Sequence, residues 1–195
     1  MSSATGLAGR DSIMTTEAQP FVMDMQELRR RAREHMDEGP VTGNYEGDVA
    51  TTLKLLNDAL ATELVCVLRY KFHAIAAQGI HSESVKKEFA THAREEAEHA
   101  DQIGERINQL GGKPDFNPDG LLTRSATQYA EGHDLRSMIE EDLVAERIAV
   151  ETYRAMVRYF ANHDPTTRQM LETILAKEEE HANDMHDLLV QQRRP

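Results

Sequence analysis

Glu96-Ala97-Glu98-His99 and Glu178-Glu179-Glu180-His181 repeat one pattern, Glu-x-x-His, and each follows another glutamate set in an apolar stretch. Glu63 precedes the first string by 33 residues, and Glu146 precedes the second by 32. Residues three apart share a helix face, so each string aims a carboxylate and an imidazole in one direction. Two such helices, with two more that each carry one inward glutamate, supply the donors for a carboxylate-bridged pair of metal ions inside a four-helix bundle. The expected fold is all-α.

The surrounding sequence supports four long helices. Leu53, Leu56, Leu60, Val67 and Ala74 mark one face of a helix over 48–78, which Gly79 closes. Ser82 is the expected N-cap of a second, running to Leu110 before Gly111-Gly112, with Phe89, Ala93, Glu96, Ala100, Ile103 and Ile107 inward. A third covers 134–161, with Ile139, Leu143, Val150, Tyr153 and Val157 inward. Pro165 opens the fourth, which carries Leu171, Ile174, Leu175, Met185 and Leu188. The link between the second and third holds Pro114, Pro118, Gly120 and Gly132, too long for a tight hairpin and suited to a crossover. The halves echo each other, since Tyr70 and Tyr153 each stand seven residues after Glu63 and Glu146. Residues 1–47 are expected to form an N-terminal extension, a mobile tail to about residue 20 and a short helix over 22–37. Residues 48–195 form the bundle.

Net charge is −12, with 34 acidic and 22 basic residues, a poor match to phosphate backbones and a good one to cations. Arg29, Arg30, Arg31 and Arg33 are interrupted by Glu27, Glu34, Asp37 and Glu38, which reads as a solvated helix face. Nucleic acid is therefore not an expected partner. The single cysteine, Cys66, excludes an internal disulfide and any Cys-x-x-Cys knuckle. No apolar run reaches the length of a membrane span, and the N-terminus lacks a secretion-signal layout, so no membrane partner and a cytoplasmic location are expected.

Four core-facing glutamates need compensation, because even a relaxed buried ion costs several kcal/mol. Two divalent cations against four carboxylates and two neutral imidazoles make a neutral cluster. Such donors suit iron(II) and manganese, and the lack of thiolates speaks against a closed structural zinc site. Glu95 lies four residues before His99 and is an alternative ligand, although the stripe through Phe89, Ala93, Ala100 and Ile103 favours Glu96 inside. Tyr153 is expected to cap a glutamate by hydrogen bond. His92 reads as a partly exposed helix position, and His73 carries no distinguishing spacing.

The segments Asn57–Leu64, Glu96–Asp101, Asp142–Glu146 and Leu175–His181 resemble the ferritin-like superfamily, above all bacterioferritin and the Dps-like mini-ferritins. The resemblance implies a ferritin-like four-helix bundle and a ferroxidase centre with two iron ions per subunit, for which manganese or zinc can substitute. Glu63, Glu96, His99, Glu146, Glu178 and His181 would be its ligands, with Glu96 and Glu178 bridging. Tyr70 would stand beside the centre, outside the ligand set. The implied function is iron storage and detoxification, with Fe(II) oxidised by O2 or H2O2 at a site within each subunit and Fe(III) mineralised in a shell. A manganese catalase-like enzyme that scavenges peroxide is the alternative. Ala97 stands where bacterioferritin keeps its haem-ligating methionine, so haem is not expected. Fourteen residues follow His181, too few for the short fifth helix of 24-subunit ferritins. A homo-oligomeric shell of 12 subunits is therefore expected, with 24 as the alternative.

Overall fold

A computed structural model of the chain describes residues 22–79 and 82–191. Among these residues all regular structure is helical: α1 (Met25–Arg31), a 3-10 turn (Met36–Glu38), α2 (Val49–Ala76), α3 (Ser82–Gln109), α4 (Leu121–Arg124), α5 (Leu135–Phe160) and α6 (Pro165–Gln191). Local chemistry sets the helix ends. The Asp48 carboxylate accepts from the Ala50 amide at the start of α2, and Asp134 forms a reciprocal cap with Ser137 at the start of α5. Asp164 does the same for α6, accepting from the Thr167 amide at 2.9 Å just before Pro165. At the end of α3, Gly111 takes φ +75°, and the Gly112 amide reaches back to the Ile107 carbonyl at 2.9 Å. That left-handed position is where a residue without Cβ is favoured.

Two helix pairs, α2 with α3 and α5 with α6, pack into a four-helix bundle. The core divides into two apolar plugs. One joins Leu56, Leu60, Ile103, Ile107, Tyr153, Met156, Phe160, Leu171 and Ile174. The other joins Tyr70, Val85, Phe89, Ile139, Met185 and Leu189. Glu63, Glu96, Glu146 and Glu178 lie at heights between the plugs on their four helices, so the polar layer is closed off from both ends.

The link between α3 and α5 runs along α2 as a crossover. Asn57 accepts from the Asp115 amide, and Thr62 from the Ala126 amide. Further along, Arg69 donates to the Gln128 carbonyl, and His73 Nε2 lies 3.0 Å from the Glu131 carbonyl. Those anchors span sixteen residues of α2, about 24 Å of helix. Arg69 and His73 both also bind the buried Asp142 of α5, each at 2.8 Å, which ties crossover, α2 and α5 together.

Three expectations need correction. The short N-terminal helix covers Met25–Arg31 rather than 22–37, because no residue of it is buried and a short helix without tertiary packing does not propagate. Ser82 is the first helical residue rather than the cap, and its hydroxyl donates to the Gly79 carbonyl at 2.8 Å. His92 is buried, 1% exposed, because α6 covers it. The expected mobile tail over residues 1–20 lies outside the described residues. No helix among the described residues is long and apolar enough to cross a membrane.

Candidate metal centre

All six residues singled out by the repeat come together within one chain. Glu63 comes from α2, Glu96 and His99 from α3, Glu146 from α5, and Glu178 and His181 from α6; every one is at least 95% buried. Their donor atoms form two overlapping groups. Glu63, Glu96, His99 and Glu178 offer atoms within 4.8 Å of one another, and so do Glu96, Glu146, Glu178 and His181. Glu96 and Glu178 belong to both.

Both imidazoles turn Nδ1 into this cluster. His99 Nδ1 lies 3.2 Å from Glu63 Oε2 and 2.9 Å from Glu178 Oε1, and His181 Nδ1 lies 3.1 Å from Glu96 Oε1. The far side of His181 is held by Glu95, whose Oε2 is 2.8 Å from Nε2. A carboxylate there keeps a proton on Nε2 and leaves Nδ1 as the lone-pair donor, the usual outer support of a metal-bound histidine. Glu95 is thus a partner of His181 and not a member of the inward groups, a role that spacing to His99 alone did not reveal. The tyrosines cross over: Tyr70 on α2 donates to Glu146 on α5, while Tyr153 on α5 donates to Glu63 on α2. His92 Nδ1 lies 3.2 Å from the Tyr70 hydroxyl, and its ring stacks on His181 with centroids 4.0 Å apart.

Electrostatics give the cluster its chemistry. Burial, with Glu96 nearby, pushes the Glu63 carboxyl up to about 8. Burial and the surrounding carboxylates push Glu178 well above the ordinary range. Burial and Glu146 act the same way on Glu96, but hydrogen bonds from His181 and His99 outweigh them and hold it low. Burial opposes charge on His99 and His181, yet the carboxylates they face hold them up to about 10 and about 9. Protons therefore neutralise the metal-free cluster. Even so, Glu96 Oε2, Glu146 Oε2 and both oxygens of Glu178 are buried without a hydrogen bond. Leaving such atoms unsatisfied costs about 1–3 kcal/mol each. Four oxygens without donors, beside two inward imidazole nitrogens, fit a pair of divalent cations.

Comparison with known proteins agrees with this geometry. The family model of the ferritin-like domain matches residues 53–194. A nutrient stress-induced DNA-binding protein of Synechococcus is 35% identical over 130 residues, 65% of this chain and 74% of that protein. A bacterioferritin of Mycobacterium tuberculosis is 31% identical over 134 residues, 66% of this chain and 77% of that one. Among solved structures, a dodecameric thioferritin, the bacterioferritin-related protein of Bacteroides fragilis, superposes with a TM-score of 0.72 at 31% identity, covering 75% of this chain and 88% of its own. On these matches the chain belongs to the ferritin-like family.

Proposed function

We propose that the chain is an iron storage and detoxification protein whose buried cluster binds two Fe(II) ions as substrate and oxidises them. The observation that carries this reading is the sharing of Glu96 and Glu178 between two donor groups, each completed by one terminal glutamate and one histidine. In it, Glu63 and His99 hold the first ion, and Glu146 and His181 hold the second. Six protein ligands for two metals leave open positions where a small oxidant can approach. With hydrogen peroxide, two Fe(II), one H2O2 and two protons yield two Fe(III) and two waters. With dioxygen, two Fe(II), one O2 and two protons yield two Fe(III) and one H2O2. Bound iron supplies the electrons, and the chain supplies position, charge balance and a water-poor setting.

The tyrosines fix the terminal carboxylates. Each hydroxyl occupies one oxygen of Glu146 or Glu63, which leaves the other oxygen for a cation. Burial and the adjacent carboxylates keep both hydroxyls protonated, well above the ordinary tyrosine range, so they act as donors. Glu95 orients His181 from outside the ligand set.

Assembly into a hollow shell that mineralises Fe(III) completes the proposal, and twelve subunits are the number favoured by the dodecameric relative. A net charge of −12 suits cation collection, and it opposes the DNA binding for which the Synechococcus relative is named. The test is Fe(II) addition under air with solution mass followed by light scattering. Rapid oxidation that breaks at two Fe per chain, then slower uptake of soluble iron by a large assembly, is the expected result. Dioxygen evolution from peroxide by the manganese-loaded chain, with no iron taken up, would instead establish the catalase-like alternative.

A further inference from the structure

One turn along the bundle from His181 lies a second grouping of donors that the paired site does not use. His92 on α3 directs Nε2 toward Glu88 Oε1 at 3.4 Å and Asp184 Oδ2 at 3.5 Å. The three donor atoms lie within 4.8 Å of one another. Both carboxylates are partly exposed, whereas His92 is 1% exposed and its Nε2 is buried without a hydrogen bond.

The hydrogen-bond chain assigns the tautomer of this imidazole. The Tyr70 hydroxyl spends its proton on Glu146, so it receives one from His92 Nδ1. Nε2 then carries a lone pair, and it faces two carboxylates that can only accept. Three acceptors converging on one point have nothing to offer each other, and a cation satisfies all three. The spacing agrees: ligand atoms about 2.1 Å from a metal and a tetrahedral angle apart are separated by roughly 3.4 Å. Burial, and Asp184 opposite, push the Glu88 carboxyl above its ordinary range, the cost of setting two carboxylates face to face. Among the described residues neither Glu88 nor Asp184 is in an ion pair with a lysine or arginine.

We propose that Glu88, His92 and Asp184 form a third cation site, distinct from the paired centre, for a divalent transition metal ion. One imidazole nitrogen with two carboxylates selects iron(II), manganese(II) or zinc(II) over calcium or magnesium. The site opens to solvent on its carboxylate side and meets the paired centre through the His92–His181 ring stack. It does not depend on the paired-metal reading.

Equilibrium dialysis of the full-length protein against Zn(II) tests it. The double variant Glu88→Gln/Asp184→Asn should bind one Zn(II) per chain fewer than the wild type. The same loss of one should follow when those substitutions are placed on Glu178→Leu, which disables the paired site. Equal stoichiometry with and without the double substitution, in both backgrounds, would overturn the proposal. A loss of one seen only on Glu178→Leu would still support the third site while showing that wild-type Zn(II) fills it last. Because both substituted side chains are partly exposed and uncharged replacements relieve repulsion there, the variants should fold; a circular dichroism melt confirms it.

Discussion

Loading the metal-free chain with two divalent cations should expel close to four protons at pH 7. Coordination requires bare carboxylates and neutral imidazoles, so metal and proton compete for the same atoms. Glu63, held up to about 8, is roughly nine-tenths protonated at pH 7. Glu178 lies well above that range, and His99 and His181, at about 10 and about 9, each carry a proton. Two carboxyl protons and two imidazolium protons thus leave as the cations enter. At pH 9 Glu63 is already ionised and His181 is half neutral, so the yield falls to roughly two or three. The assay is a pH-stat titration with Mn(II) on the Asp184→Asn variant, in which only the paired site is counted. One proton or none at pH 7, or a yield that rises from pH 7 to pH 9, would refute the idea that protons stand in for cations.

The same groups make the metal-free fold pH-sensitive. Glu63, His99 and His181 all have folded values raised above their model values of 4.5 and 6.5. Their contribution is present in full below those values and is lost as pH rises through about 8 to 10. The Tm of the metal-free chain should therefore fall across that window, and metal should flatten the curve; a metal-free Tm that climbs from pH 6 to 10 would contradict this. Glu178→Leu should raise the metal-free Tm by several degrees, since it removes two buried oxygens without hydrogen bonds at about 1–3 kcal/mol each. Glu96→Leu should lower it, because that carboxylate is hydrogen-bonded by His181, and thermal melts of the two variants moving in the same direction would count against the assignment. Glu95→Ala should weaken one of the two bound ions by about 10–100-fold in calorimetric titration while the stoichiometry holds. Asp142→Asn leaves Arg69 buried without its ionic partner and should cost about 3–5 kcal/mol, with faster amide exchange across residues 126–131 than in the wild type.

Much of the site was legible because it is written twice in helical spacing. Phe89, Ala93, Ala100 and Ile103 placed Glu96 inside, and all four are buried as that stripe requires. What escaped depends on contacts between helices. His92 looked like a surface residue on α3 alone, and only the approach of α6 with His181 and Asp184 buries it. Glu95 sits at the edge of its own helix face, and its role is set by a histidine 86 residues away. His73 and Arg69 serve Asp142 and the carbonyls of the crossover, partners that no periodicity along α2 announces. The N-terminal helix was over-extended for the opposite reason. Its residues favour helix locally, but Met25 and Leu28 remain exposed, and His35 takes a left-handed φ of +50° that ends any continuation.

The central claim is that four buried carboxylates and two imidazoles hold two ions side by side. Crystals of the full-length protein loaded with Fe(II) without oxygen, with anomalous scattering recorded at the iron edge, test it most directly. The account predicts two peaks about 3.5–4 Å apart, one among Glu63, Glu96, His99 and Glu178 and the other among Glu96, Glu146, Glu178 and His181. A single peak, or iron bound only outside these six side chains, would contradict it.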